Sequence, residues 1–499
     1  MMGCDSSGGS SMTGRRQNQS IRNDFFEDIQ SALGHPPDLV CRSLLVQEEQ
    51  AVHCVYLESM VDKKTIDDYI LKSFTEHTFA EGEAPRSAGS GFLREVSFSD
   101  PYEELREHAV KALLAGHCVL TDFARERVCL INVTEPKQRS IDEPKSETTI
   151  RGPHEGFTES ILTNVGLVRK RIRNPFLRFE KMSVGSQTGT TLLMVYMENL
   201  APDSLVREVR GRLSTIRTDS VLESAYVEEF IQDRIWSPFP TLTNTERPDV
   251  MAAQLLDGKV AVMVDGTPSV LLAPMTFFEF FSSPEDYYQR ADIATFIRWI
   301  RLISLFTAVF VPSLYVAATT FHQELIPTQL LISLSAQREG VPFPAFFEVL
   351  LMEVVFEIIR EAGLRMPRAV GQALSIVGAI VLGQAAVEAG LISAAIVIVV
   401  AITGITNFVV PVYSFGMSQR LLRFSFVLLA GFMGLFGILC GALFLVAHLV
   451  SLKSFGVPYM TPASPSKGAD WKDVLVRLPR PWLDPNRLPG YIRNLKRKR

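Results

Sequence analysis

Four glutamates interrupt an apolar stretch that opens at Pro342-Phe343-Pro344 and reads as a helix to about Gly363: Glu348, Glu353, Glu357 and Glu361. Glu353, Glu357 and Glu361 recur every four residues and so share one helix face. Unpaired carboxylates in lipid are costly, so this segment (343–362) must lie in an interface, line water, or re-enter a bilayer part-way. Two readings stay open: a solvated interfacial face, or an acidic ring in which Glu348, Glu353 and Glu357 collect cations. Glu361 and Arg365 are spaced to pair along the helix. The next stretch, Gly371 to Gly390, carries two stripes. At about 100° per residue, Val377, Val381, Gln384 and Glu388 fall within about 60° of one another. Gly371, Gly378, Ala385 and Ala389 lie roughly 100° away and permit close helix packing. Such a helix could line a pore built by several subunits, with Val377 and Val381 as the constriction and Gln384 and Glu388 as its mouth. It could equally be a packed helix with Glu388 near the headgroups. Gly437 and Gly441 form a GxxxG packing signal further on.

Other chemistry is sparse. No Walker A loop, GxSxG elbow, HExxH, or GxGxxG after a strand occurs, which argues against an enzyme. Gly185-Ser186-Gln187-Thr188-Gly189 lies between two strand-like runs and reads as a hairpin turn rather than a phosphate cradle. The eight histidines are dispersed, His322 and His448 flanking apolar runs, and the six cysteines form no CxxC pair. Neither a metal site nor a cofactor is expected, and the cysteines suit a reducing compartment. A net charge of −4 over 499 residues argues against a nucleic-acid partner.

The elements that must carry these residues follow from polarity. Leu302–Thr320 has no charge, 369–419 has only Glu388, and Phe424–Ala447 has none. A bilayer core takes about 20 apolar residues as a helix, so these runs predict about four spans in a membrane domain over 291–450. Residues 1–39, rich in Ser and Gly at the start and without an apolar h-region, read as flexible, and no signal peptide is expected. Residues 40–138 and 156–290 alternate short β-branched runs with amphipathic stretches, joined by a Pro/Ser/Lys/Glu linker over 139–155. Val55-Tyr56-Leu57-Glu58 reappears about 140 residues later as Val195-Tyr196-Met197-Glu198, and Asp265-Gly266 is a hairpin signal. The expected fold is therefore two related α/β subdomains, cytoplasmic, followed by a polytopic helical membrane domain. Arg169-Lys170-Arg171 ends a helix and reads as a solvated cluster.

Topology is contradictory on these grounds. The tail from Ser451 to Arg499 has 11 Lys/Arg against three Asp and should stay cytoplasmic with the N-terminus, requiring an even number of crossings. Four crossings turn Arg360, Arg365, Arg368, Arg420 and Arg423 outward, against the positive-inside rule; a fifth repairs those loops but expels the tail.

From about residue 150 to 480 the chain resembles the A subunit of GerA-type spore germinant receptors of endospore-forming bacteria. The matching stretches include Glu155-Gly156-Phe157-Thr158-Glu159-Ser160, Asn244-Thr245-Glu246-Arg247-Pro248-Asp249 and Ser283-Pro284-Glu285-Asp286-Tyr287-Tyr288. They continue through Arg338-Glu339-Gly340-Val341-Pro342-Phe343-Pro344, Gly383-Gln384-Ala385-Ala386 and Ser454-Phe455-Gly456-Val457-Pro458-Tyr459. His154 stands where the family usually has Arg. The related SpoVAF proteins share the architecture, but Val341-Pro342-Phe343-Pro344 and the Gly-Gln-Ala-Ala stretch fit the receptor subunits better. The resemblance implies a multi-pass protein of the spore inner membrane with its large N-terminal domain facing the spore core. It also implies a homo-oligomer that works with a transporter-like B subunit and a lipoprotein C subunit, and an ion-conducting path releasing cations when nutrient binds. A non-conducting signalling scaffold is the alternative.

Overall fold

A computed structural model of the chain describes residues 25–46, 50–67, 93–97, 102–122, 127–134, 144, 147, 151–365, 381–464, 471 and 473–482. The chain divides into two compact units, 1–231 with 244–273 and 492–499, and 232–243 with 274–491.

The first unit is mixed α/β and holds two five-stranded sheets. β1 (Leu39–Val46), β2 (Gln50–Leu57), β3 (Leu93–Ser97), β4 (His117–Asp122) and β5 (Arg127–Asn132) are ordered β1-β2-β4-β5-β3. β6 (Leu177–Val184), β7 (Thr190–Met197), β8 (Thr243–Thr245), β9 (Val260–Val264) and β10 (Val270–Ala273) are ordered β6-β7-β9-β10-β8. The two orders are the same. Leu57 pairs with Leu39 and Met197 with Leu177, so the two similar sequence runs end the same strand of each sheet. Five hydrophobic positions in a row are buried in β9, as they must be where both sheet faces are covered.

Each sheet is roofed by helices whose apolar stripes repeat every three or four residues. α1 (Tyr102–Leu114) puts Leu105, Ala109 and Leu113 on Val55, Val119 and Val128. A helix over residues 25–33 adds Phe25, Ile29 and Leu33 to the same core. That corrects the expectation of a flexible 1–39: spacing of four between three large apolar residues gives those positions a buried face. Residues 1–24 lie outside the described ones. After α2 (Ile161–Arg171), capped by Ser160, come α3 (Asp203–Thr215), α4 (Ser224–Ile231) and α5 (Pro248–Leu256), and α2 and α5 cover one face of the second sheet.

A buried ion pair joins the two sheets of this unit. Arg169 of α2 donates from Nε and a terminal nitrogen to the two carboxylate oxygens of Asp38, at 2.9 and 2.8 Å, both residues being about fully buried. Ser59 also donates to Asp38, and the guanidinium lies 4.7 Å from the centre of the Phe179 ring. The solvated reading of the Arg169–Arg171 cluster is thus wrong for Arg169, because its partner lies 131 residues away. At Gly166, one turn earlier, α2 backbone touches Ser59 so closely that any Cβ would collide with its carbonyl.

The second unit is helical: α6 (Ala291–Thr320), α7 (Thr328–Arg338), α8 (Ala345–Arg365), α9 (Ala394–Thr406) and α10 (Tyr413–Ser451). Among the described residues, α6 and α10 are long and apolar enough to cross a membrane, and α9 is a shorter apolar helix. α10 is not one straight rod. Gly434 has φ 60° and ψ −141°, conformational space that only glycine occupies readily. There the helix reverses into two arms, 413–433 and 435–451. Ser418 on the first arm bonds the Pro238 carbonyl, and His448 on the second is 3.0 Å from the Ser237 hydroxyl, so both arms end at the same place. Gly437 and Gly441 face the first arm, against Leu429 and Phe426. The uncharged run 424–447, expected to be one span, is therefore a hairpin.

The bundle has two ends. One, the base, holds Phe239, Phe277, Phe280, Phe281, Phe415 and Tyr459 packed together. The other holds Phe321 and His322 against Gly434, Phe346 against Gly431, and Gly340 against Gly390. α6 runs away from the base, where Arg301 bonds the Phe281 carbonyl at 2.9 Å. α8 returns, antiparallel to the first arm of α10: Phe346 meets Gly431 and Glu357 meets Arg420. The chain is at the base at Arg365 and at the far end at Gly390. α9 then runs back, its start bonded to Glu348 and its Gly404 against Phe356.

Candidate functional site

The notable chemistry of the bundle is a line of charge between α8, α9 and the first arm of α10. Glu348 sits at the far end, fully buried, and accepts from the backbone N–H of Ser393 at 3.0 Å. Ser393 is the N-cap of α9, so the carboxylate faces the positive end of that helix. Arg338 reaches the other oxygen of Glu348 at 3.3 Å.

Further along α8 a denser cluster forms. Arg423 is 1% exposed and places Nε 3.0 Å from Glu353 Oε2 and a terminal nitrogen 2.9 Å from Glu357 Oε1. Glu357 is also met by Arg420 at 3.3 Å and by Arg360, three residues on, at 2.8 Å. The Thr403 hydroxyl of α9 lies 3.5 Å from Glu353. Two carboxylates thus share three guanidinium groups, and the cluster carries one surplus positive charge. Several buried polar atoms of α10 and of the C-terminal end of α9 have no hydrogen-bond partner: both ends of the Gln419 amide, both ends of the Asn407 amide, the Ser414 hydroxyl and Arg423 Nη1. Buried polar groups are nearly always satisfied, so each of these orphans is unusual.

The expected site residues fall into separate groups. Glu348, Glu353 and Glu357 do share α8, but they are neither an open acidic ring nor a solvated face; arginines distant in sequence neutralise them. Glu361 pairs with Arg365 at 2.8 Å on the exposed side. Gln384 donates to Glu388 at 3.0 Å, both exposed, and Ala385 is exposed beside them. Val381 begins the π-helical turn Val381–Ala385, while Gly371, Val377 and Gly378 lie outside the described residues. Gly437 and Gly441 pack within the α10 hairpin. Arg420 and Arg423 had figured only as a topological contradiction. The signal that could have found them was that contradiction itself: arginines in apolar surroundings require carboxylates, and α8 supplies them.

A second cluster pins the base. Asp286, 2% exposed, receives Arg298 at 2.9 Å and Arg301 at 2.9 Å. Arg298 also bonds the Asp473 carbonyl at 2.6 Å, and Tyr287 donates to the Asp473 carboxylate at 2.6 Å. Both arginines of the first turns of α6 thus bind Asp286, and Arg298 also ties the helix to residue 473 of the tail. Among the described residues no group of three or more His, Cys, Asp or Glu is placed to hold a metal ion.

The family model described as Bacillus/Clostridium GerA spore germination protein matches residues 27–487. The chain belongs to the GerA family. It is 42% identical over 469 residues to spore germination protein KA of Bacillus subtilis (strain 168), covering 92% of this chain and 85% of that protein. It is 42% identical over 436 residues to the uncharacterized membrane protein YfkQ of the same organism, covering 87% and 84%. The crystal structure of the N-terminal domain of the A subunit of the Bacillus megaterium spore germinant receptor GerK3 is 33% identical, covering 50% of this chain and 92% of that one, with a TM-score of 0.38.

Proposed function

We propose that this GerA-family chain is the A subunit of a spore nutrient germinant receptor, embedded in the spore inner membrane as a homo-oligomer that forms or gates a cation path. The observation that carries this reading is the helical unit, where large apolar side chains face outward along the α10 hairpin while Glu348, Glu353, Arg420 and Arg423 are buried within the bundle. Phe432, Phe436, Leu439, Leu443 and Phe444 are exposed along the α10 hairpin, as lipid-facing residues are. The arms of 21 and 17 residues are about 31 and 25 Å long, close to a bilayer core.

Five passes of the bundle, α6, α8, α9 and the two arms of α10, are five crossings if each pass is one, and a chain that leaves α8 toward the base and is at the far end at Gly390 must cross once more, making six. The even number keeps the N-terminal unit and the basic tail on one side. It also returns Arg360, Arg365, Arg420 and Arg423 toward the base, in line with the positive-inside rule. The sixth crossing, supplied by the hairpin, removes the conflict between four and five. Single cysteines on a cysteine-free background test it. Leu325, Phe343 and Leu391 should react with an impermeant maleimide from outside, and Leu364 and Phe408 only after permeabilisation; outside labelling of Leu364 and Phe408 would end the six-crossing scheme.

Nutrient would bind the transporter-like B subunit and, with the lipoprotein C subunit, shift the A oligomer between two states. Val377, Val381, Gln384 and Glu388 remain the proposed lining, and Val377→Ala should give leaky, nutrient-independent germination. A scaffold that transmits the signal without conducting is favoured by one observation, the neutralisation of Glu353 and Glu357 by Arg423. Planar-bilayer recording of the purified complex decides: nutrient-evoked cation current supports conduction, and its absence in a nutrient-binding complex leaves the scaffold.

A further inference from the structure

Arg423 occupies a place built of oxygen. Glu353 and Glu357 approach its guanidinium from α8 at 3.0 and 2.9 Å, and Thr403 of α9 lies on the far side of Glu353. Gln419 is one turn earlier on the same helix face, 1% exposed, with its amide oxygen and nitrogen both unpartnered. Other charges facing these carboxylates are Arg420 and Arg360, and both act on Glu357. Among the described residues, Glu353 forms an ion pair with Arg423 alone. An arginine inserted among buried carboxylates and an unused amide does what a bound cation would do, while remaining attached to α10.

We propose that Glu353, with Glu357 and Gln419, forms a binding site for a monovalent cation, and that Arg423 fills it in the resting receptor as a tethered cation. Opening withdraws the guanidinium as the first arm of α10 slides or turns against α8, and a free cation takes its place beside Glu353. This explains three features together: the surplus positive charge of the resting cluster, the unsatisfied Gln419 amide, and the position of the pair at the antiparallel contact between two helices. A buried pair whose surroundings are only partly satisfied leaves a second arrangement within reach, so this one fits a switch better than a staple. The inference rests on the cation-path reading above for its physiological meaning, but the site can be tested without it.

Two measurements on the full-length chain separate the possibilities. In the first, binding of thallium(I), a potassium surrogate, is followed by equilibrium dialysis of the detergent-purified protein. Wild type should bind none at this site, Arg423→Ala about one ion per chain, and Arg423→Ala/Glu353→Gln none. Arg423→Met, which retains side-chain volume, carries the same expectation and replaces Arg423→Ala if that variant elutes aggregated. An Arg423 variant that is folded and binds no thallium overturns the site, since Glu353 would then simply have taken up a proton. In the second, the reconstituted receptor complex is assayed for cation flux. Arg423→Ala should raise nutrient-independent flux by about tenfold or more, Arg423→Lys should raise it less, and adding Glu353→Gln should return it to background. Wild-type basal flux in Arg423→Ala, with the nutrient response intact, overturns the tethered-cation role. A wild-type complex that passes no current with nutrient overturns the conduction reading instead, and the dialysis result then stands or falls alone.

Discussion

The α/β unit and the helical unit both bury arginine–carboxylate pairs, and they differ in how completely those pairs are satisfied. Asp38 and Arg169 meet in a two-pronged pair, with Ser59 and the Phe179 face completing the surroundings. Glu353 and Arg423 are equally buried, yet Arg423 Nη1 and the amide of Gln419, one turn earlier on α10, lack hydrogen-bond partners. A fully satisfied network specifies one arrangement; a partly satisfied one leaves a second arrangement within reach. The first pair holds two sheets in place, whereas the second joins two helices that can exchange partners.

The largest expected effect attacks the satisfied pair. Arg169→Ala strands the Asp38 carboxylate and should cost about 3–5 kcal/mol, read as a hundred-fold or greater loss of hydrogen-exchange protection in β1 and β2. Retained protection would show that the sheets are held by apolar contacts alone. Next comes the hairpin. Gly434→Val forces a branched side chain into the left-handed region, where Phe321 and His322 lie 3.0 Å from a Cβ, and should cost about 1–3 kcal/mol. As a geometric check, Phe426→Cys and Gly441→Cys should join through a disulfide; in a straight helix they would be about 22 Å apart and could not.

A smaller effect concerns pH. Burial pushes the Glu147 carboxyl, which accepts from Thr245, from an ordinary 4.5 up to about 7. Between those values the folded state keeps a proton that the unfolded chain releases, so stability falls as pH rises from about 4.5 to about 7. Glu147→Gln should flatten the thermal midpoint measured across that range; an unchanged slope would assign it to other groups. Smallest of all, Gln384→Ala removes a hydrogen bond between exposed side chains and should change stability by no more than about 0.5 kcal/mol. Any large loss of receptor response in that variant then reports on function rather than folding.

Much was legible from residue order alone. Similar strand runs 140 residues apart marked two sheets, because alternating β-branched segments and the Asp265-Gly266 turn are local signals. Uncharged runs marked the helical unit for the same reason, since hydropathy is summed over neighbours. The four-residue recurrence of glutamates correctly put Glu353, Glu357 and Glu361 on α8.

What local pattern could not decide was partnership. Arg423 lies 70 residues from Glu353 and Arg169 lies 131 from Asp38, and no periodicity connects such pairs. Nor could composition distinguish Gly434 from Gly431, Gly437 and Gly441, since only the backbone angles show which glycine reverses the chain. Amino-acid order determined which segments avoid water and which carry charge. Tertiary structure alone decided where each buried charge finds its counter-ion, because desolvation in a packed interior is relieved by whichever opposite charge folding brings near, however distant in sequence.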